Sequence, residues 1–263
     1  MPHTPHPTPH TPVRAVFLDL DDTLCAYWDA SKAALKETFE NHAPTGVPTE
    51  TMIAAWAEAF RKFSPDVKNE QWYPIYLKEG GVTRVEQMRL ALLELGHDDP
   101  IRAKALGDSY GLLRDQNLKL FPEALEVLDA LKAKFPLGVM TNGPADIQRQ
   151  ELQTLGIEHY FDVFLIEGEL GFGKPDPRVY QSGFDQMAAK LPGLKPDEIL
   201  MIGNSYRHDI LGAMEAGWQT AWVRRPSDFA PSATEPETKP DEAPDPTYEI
   251  GDLRELLDSA TLS

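Results

Sequence analysis

The sequence is poor in cysteine and in long apolar runs, and each shortage excludes a class of protein. Cys25 is the only cysteine among 263 residues, so no intramolecular disulfide can form, and we expect a reducing, cytoplasmic location. Apolar stretches such as 137–140 and 199–203 fall far short of the roughly 20 residues that cross a bilayer. The first twelve residues lack the apolar core of a signal peptide. We therefore expect neither a membrane span nor export.

Basic residues are also scarce. The chain has 25 of them against 42 acidic residues, which gives a net charge of −17. Such a surface repels a phosphate backbone, so nucleic acid is excluded as an expected partner. A small anionic substrate requires positive charge concentrated in one pocket, and Lys174 is the candidate for that charge.

The pattern of apolar residues divides the chain into a core and an insertion. Strands and amphipathic helices alternate in 13–27 and 114–263, which predicts an α/β core with a parallel sheet covered by helices on both faces. Between these parts, 28–113 shows only helical spacing of apolar residues, which predicts an all-helical insertion. Residues 1–12 are expected to be a disordered tail. Residues 226–247 contain six prolines and six acids against one lysine, so a flexible acidic loop is predicted.

Polar clusters follow four of the predicted strands. Taken singly, each has an ordinary explanation: acids at strand ends cap helices, Thr-Asn-Gly is a common turn, and a lysine before proline is usually solvated. Ligands of parallel sheets bind beyond the carboxyl ends of the strands, so the four together, in this order, indicate one site. The clusters are 19–23, 141–143, 173–176, and 203–205 with Asp209.

These clusters resemble the motifs of the haloacid dehalogenase superfamily of phosphatases: an Asp-x-Asp-x-Thr loop, a Ser or Thr, a Lys, and a closing acidic pair. The resemblance covers 13–225 and implies a Rossmann-like core. Because 28–113 lies between the first and second motifs, it also implies a helical cap. The implied activity is Mg²⁺-dependent hydrolysis of a phosphate monoester through an aspartyl-phosphate.

The resemblance assigns the first motif to the chemical steps. Asp19 is the expected nucleophile, a role that suits a carboxylate because its reference pKa of about 3.9 keeps it ionised at neutral pH. Asp21 is the expected general acid and base, which requires a pKa raised by burial or by neighbouring negative charge.

The second and third motifs are expected to hold the phosphoryl group. The Thr141 hydroxyl can donate a hydrogen bond to a phosphoryl oxygen, and the amides of Asn142 and Gly143 can add donors. Lys174 is expected to offset the repulsion between the phosphoryl group and the attacking carboxylate.

The expected magnesium ligands are Asp19, the backbone carbonyl of Asp21, Asn204 and Asp209. The family has an aspartate at the position of Asn204, so the chain departs from the pattern there. An amide oxygen is a hard ligand of the kind that Mg²⁺ accepts, but it carries no formal charge. We expect weaker magnesium affinity than is usual in the family.

The cap is expected to select the substrate, a small phosphorylated metabolite. Seven cap residues could contact an anionic or sugar-like group of the substrate, and Arg84 is the favoured candidate among them: Arg61, Trp72, Tyr73, Tyr76, Lys78, Arg84 and Arg89. Dehalogenation is disfavoured because those family members lack the second aspartate, present here as Asp21. A phosphomutase and a non-catalytic binding or regulatory protein stay open as alternatives, as do a monomer and a homodimer.

Overall fold

The computed structural model describes residues 11–226 and 229–258. The predicted tail therefore lies outside the described residues up to position 10. Thr11 is hydrogen bonded to Asp197 at 2.8 Å, so the described chain begins in contact with the core.

Short strands, most of them buried, form one six-stranded sheet in which all neighbours are parallel. Their order is β3-β2-β1-β4-β5-β6, the order of a Rossmann-like sheet, in which the winding direction reverses between β1 and β4. The predicted α/β core is confirmed. The strands are β1 Ala15–Leu18, β2 Leu137–Thr141, β3 Val163–Ile166, β4 Ile199–Gly203, β5 Gln219–Val223 and β6 Tyr248–Ile250.

Helices cover both faces of this sheet. Side chains alternate along a strand, so Val16 and Leu18 of β1 belong to one apolar cluster and Phe17 to another. The helices are α1 Tyr27–His42, α2 Thr49–Asp66, α3 Tyr73–Lys78, α4 Gly80–Glu94, α5 Pro100–Asn117, α6 Ala124–Lys132, α7 Ala145–Thr154, α8 Glu167–Leu170, α9 Pro177–Ala188, α10 Gly212–Glu215 and α11 Glu255–Asp258. The first apolar cluster includes residues of α6 and α7, and the second includes residues of α9.

Helices α1 to α5 form the insertion and have an apolar cluster of their own. Its members include Phe39, Trp56 and Met88, and the four-residue spacing of Met52 and Trp56 places both on the buried face of α2. The helical segment spans 27–117, slightly beyond the predicted 28–113 at both ends. We propose that it is a cap domain.

Two features outside these layers bear on the sequence predictions. The described part of the predicted flexible loop, 226 and 229–247, contains no helix or strand, and its flexibility stays a prediction. Among the helices of the described residues, none is long and apolar enough to span a membrane.

Candidate active site

Three side chains from distant parts of the chain meet at the carboxyl end of the sheet. Asp19 directly follows β1, Lys174 lies between α8 and α9, and Asp209 lies on a π-helical turn after β4. The Lys174 Nζ donates to Asp19 Oδ1 at 2.5 Å and to Asp209 Oδ1 at 2.6 Å. The structure thus brings residues of three predicted motifs into direct contact, at the crevice where the sheet order reverses.

These three charges are deeply enclosed. Exposure is 6% for Asp19, 3% for Lys174 and 1% for Asp209. Burial raises the pKa of Asp19 to about 6, and the charge of Lys174 opposes the rise. Burial also disfavours the Lys174 ammonium, but the carboxylates of Asp19 and Asp209 raise the pKa of Lys174 above its ordinary value. At neutral pH the pair therefore consists of an ionised carboxylate held by a fixed cation.

Asp21 faces the same cavity and is only partly buried. Burial, followed by the charge of Asp19, raises the pKa of Asp21 to about 6, in the direction predicted from the sequence. A carboxyl group with that pKa can donate a proton at neutral pH and accept one afterwards.

Gln148, on α7, links two of the predicted residues and was missed in the sequence. Its Oε1 accepts from Thr141 Oγ1 at 2.6 Å, and its Nε2 donates to Asp21 Oδ2 at 3.2 Å. Gly143 makes room for it: φ is 141° there, and a Cβ would lie 2.9 Å from Gln148 Nε2. The one amide group therefore fixes Thr141 and Asp21 relative to each other.

Glu151 and Arg114 extend this network into the cap. Gln148 Nε2 also donates to Glu151 Oε2 at 3.0 Å, and Glu151 Oε1 lies 2.9 Å from Arg114 Nη1, with both residues buried. Burial and the charge of Asp21 raise the pKa of Glu151 well above its usual range, while Arg114 opposes the rise. A sequence signal existed: Gln148 and Glu151 are polar residues three apart on the buried face of α7, beside Ile147 and Leu152.

The second motif has partners other than those predicted for it. Asn142 Nδ2 donates to the Lys174 carbonyl and Asn142 Oδ1 accepts from the Lys174 N–H, each at 2.7 Å. The side chain of Asn142 therefore positions the lysine. The Gly143 N–H donates to Glu167 Oε2 at 3.1 Å. The Gly143 N–H, which was predicted to donate to a phosphoryl oxygen, donates in this structure to the carboxylate of Glu167.

Glu167 also joins this loop to the cap. Its Oε1 accepts from Tyr73 Oη and lies within ion-pair distance of Lys68 Nζ, each at 2.9 Å. Glu167 is 1% exposed and directly follows β3, so the rule that selects strand ends would have found it.

The first and fourth motifs also meet at oxygen atoms. The Thr23 Oγ1 donates to Asp19 Oδ2 at 3.1 Å and reaches Asn204 Oδ1 at 3.4 Å, so these two predicted metal ligands are neighbours. Asp19 and Asp209 place two carboxyl groups against one ammonium group, and the carboxyl group of Asp21 lines the same cavity. Oxygen donors with an excess of negative charge fit Mg²⁺. Within 11–226 and 229–258, no three His, Cys, Asp or Glu side chains form a metal cluster by themselves.

Neighbouring polar residues of both motifs have capping roles. Asp22 Oδ1 accepts from the Trp28 N–H at 3.0 Å, at the start of α1. Ser205 Oγ accepts from the His208 N–H at 3.3 Å, so Ser205 caps the π-helical turn that carries Asp209.

A cavity of about 440 Å³ lies over these residues and is lined by both the core and the cap. Arg84 and Tyr76 are the predicted cap residues that line it, and Tyr73 reaches Glu167 beside it. The remaining predicted cap residues are not in its wall, and Arg61 and Arg89 pair with Glu58 and Glu86 on their own helices.

Comparison with known proteins agrees with this geometry. Residues 13–217 match the family model of the haloacid dehalogenase-like hydrolases. The chain is 32% identical to the phosphoserine phosphatase of Thermus thermophilus, over 93% of this chain and 98% of that protein. It is also 32% identical to the glyceraldehyde 3-phosphate phosphatase of Methanopyrus kandleri, over 94% and 96%.

The fold has a counterpart among solved structures. The magnesium-bound HAD-hydrolase YfnB of Bacillus subtilis superposes with a TM-score of 0.65 at 23% identity, covering 94% of this chain and 98% of that one. The matched family model spans most of the chain, and two relatives match nearly its whole length. The chain therefore belongs to the haloacid dehalogenase-like hydrolases.

Proposed function

We propose that the protein is a magnesium-dependent phosphatase that hydrolyses a small-molecule phosphate monoester through a phosphoryl group carried on Asp19. The observation that carries the proposal is the contact of Lys174 Nζ with both Asp19 and Asp209 inside a cavity shared with Asp21. Similarity to two phosphatases of small phosphate esters supports it.

In the first step an Asp19 carboxylate oxygen attacks phosphorus. An Asp19 O–P bond forms while the bond from phosphorus to the ester oxygen breaks. Asp21 gives its proton to the departing alkoxide. The pKa of about 6 leaves enough Asp21 protonated for this at neutral pH.

In the second step water attacks the phosphorus of the aspartyl-phosphate. Asp21, now ionised, takes the proton of that water, the Asp19 O–P bond breaks, and inorganic phosphate leaves. Lys174 supplies positive charge to the phosphoryl oxygens in both steps. A cation about 4 Å from an anion, at an effective dielectric of about 20, gives about 4 kcal/mol of raw attraction.

Mg²⁺ would be held by Asp19, the Asp21 carbonyl, Asn204 and Asp209, and it would neutralise charge on the transferring phosphoryl group. The residues of the chain themselves position the nucleophile and supply and accept the proton.

Turnover of p-nitrophenyl phosphate with and without Mg²⁺ tests the proposal. We expect nitrophenolate and phosphate in equal amounts with Mg²⁺, and little of either after chelation. Absence of turnover at every metal concentration would reject the phosphatase, and transfer to a sugar phosphate without net phosphate release would indicate a mutase.

Asn204→Asp tests the metal assignment separately. The added charge is expected to lower the magnesium concentration for half-maximal rate severalfold. Asn117→Asp, at the end of α5, is the matched control and is expected to leave that concentration unchanged. An unchanged or higher requirement in Asn204→Asp would show that position 204 does not contact the metal.

A further inference from the structure

Four cationic side chains line the cavity, and three of them have carboxylate partners. Lys174 lies 2.5 Å from Asp19. Arg114 and Lys68 each lie 2.9 Å from a buried glutamate, Glu151 and Glu167 respectively. The fourth cation, Arg84, has no ion pair with any described residue, although the chain has 42 acidic residues.

Other arginines show how unusual this is. Within the described chain, Arg84 and the exposed Arg207 are the arginines without an ion pair. Each of the others has a carboxylate within 4.0 Å: Arg14, Arg61, Arg89, Arg102, Arg114, Arg149, Arg178, Arg224, Arg225 and Arg254. Arg84 is therefore a half-buried cation in the cavity wall that has no ion pair with a described residue.

Two neighbouring residues, Tyr110 and Gly111, define the position of this guanidinium group. Its Cζ lies 5.9 Å from the ring centre of Tyr110, on the face that attracts cations. Gly111 leaves the space, since a Cβ there would lie 2.2 Å from Arg84 Nη1. The guanidinium thus lies against the Tyr110 ring, in the space beside Gly111. Neither contact uses its N–H donors, which can therefore bind a ligand.

The cap end of the cavity also lacks negative charge. Among the described residues of its wall, every acid belongs to the core, and the cap contributes aromatic and neutral polar side chains beside its cations. An anionic group that reaches the cap end meets Arg84 and no cap carboxylate.

We propose that Arg84 binds a carboxylate on the leaving group, so that the substrate is the phosphate monoester of a small hydroxy acid. This rests on the phosphatase function proposed above. The planar guanidinium fork matches a carboxylate with two parallel hydrogen bonds. One unmatched positive charge balances a carboxylate, whereas a second phosphate would add about −2 beside the acids of the core. The cavity volume suits a small ligand.

Paired substrates test this directly. In each pair the skeleton is similar and one member has the carboxylate: 3-phosphoglycerate against glycerol 3-phosphate, and phosphoglycolate against ethyl phosphate. We expect kcat/KM to favour the carboxylated member of at least one pair by about tenfold or more, as for a charged hydrogen-bonded contact. Arg84→Gln should remove most of that preference, chiefly through KM, and Arg84→Lys should retain part of it.

The ratio of two substrates on one enzyme sample does not depend on how much of the variant is folded. Arg89→Gln, on the same helix but paired with Glu86, is the matched control and should keep the wild-type ratio. No preference in the wild type, or an unchanged preference in Arg84→Gln, would overturn the proposal while p-nitrophenyl phosphate turnover still upheld the phosphatase. A wild type that hydrolyses p-nitrophenyl phosphate but none of these four esters would also overturn it, and a wild type that hydrolyses none of the five would reject both proposals.

Discussion

At the scale of single residues, the candidate site depends on one uncharged side chain as much as on its charged ones. Gln148 is 2% exposed and hydrogen bonds to Thr141, Asp21 and Glu151. It orients the expected general acid and the expected phosphoryl donor together. Its loss would remove the hydrogen bond that each of these three groups makes to it, and a buried polar group left unsatisfied costs about 1–3 kcal/mol.

We therefore predict that Gln148→Leu slows hydrolysis of alkyl phosphates about tenfold or more, with a smaller effect on p-nitrophenyl phosphate. An alkoxide leaves only with a proton from Asp21, whereas nitrophenolate leaves without one. Steady-state kinetics on both esters measures the difference.

Gln150→Leu is the matched control, because Gln150 lies on the same helix but bonds to the exposed side of Asp115. It should change neither rate. Equal losses on both esters in Gln148→Leu would mean that the glutamine only supports the fold.

Residue types and their order along the chain identified the charged residues at the centre of the site, but not Gln148 and Glu151, which contact and position them. Asp19, Lys174 and Asp209 could be predicted because each lies on the segment that follows a strand, and strand ends of a parallel sheet converge. Gln148 and Glu151 lie inside a helix, where their spacing beside Ile147 and Leu152 places them on the buried face but does not show which site residues they contact. Their role depends on the angle at which α7 crosses the sheet, which is a property of tertiary packing.

At the scale of elements, the acidic segment after β5 contacts the loop that carries Asn204. Glu237 Oε2 accepts from Ser205 Oγ at 2.9 Å and from the Tyr206 N–H at 3.1 Å, and Oε1 accepts from the Arg207 N–H at 3.0 Å. A carboxylate at the first turn of a helix satisfies N–H groups that have no partner within the helix.

We predict that Glu237→Ala lowers the free energy of unfolding by about 1 kcal/mol, as for loss of a helix cap. Urea denaturation measures it. Glu235→Ala, an exposed acid of the same segment, should have no effect, and equal stability of the two variants would argue against the contact of Glu237 with this turn.

Strands could be located from sequence more closely than helices. The apolar run 199–203 matches β4 at both ends, and the run 137–140 matches β2 except for Thr141, because short apolar runs bounded by turn residues leave little choice of limits. The turn after β4 is π-helical over Tyr206–Leu211, which composition does not reveal. The cap helices were recognised by spacing, but how they pack on one another depends on contacts between distant segments.

At the scale of the whole molecule, a buried ion pair joins the cap to the core. Arg114 lies in the last turn of α5 and Glu151 lies on α7, and their exposures are 2% and 1%. Removal of Arg114 leaves the buried carboxyl group of Glu151 without its cation, whereas replacement of both by apolar residues removes the need for a partner.

We predict that Arg114→Met lowers the free energy of unfolding by about 3–5 kcal/mol, and that Arg114→Met with Glu151→Leu recovers most of the loss. Urea denaturation of both variants measures this. A double variant that is less stable than Arg114→Met would show that Glu151 is stabilised by other groups.

The whole account depends on Asp19 as the nucleophile whose carboxylate accepts the phosphoryl group. Asp21→Asn is expected to form the aspartyl-phosphate from p-nitrophenyl phosphate, whose leaving group needs no proton, and to break it down slowly. Mass spectrometry of peptides after acid quenching should find one phosphoryl group on the peptide that contains Asp19, and Asp19→Asn should abolish it together with turnover. A phosphoryl group on another residue, or an Asp19→Asn variant that retains activity, would contradict the account.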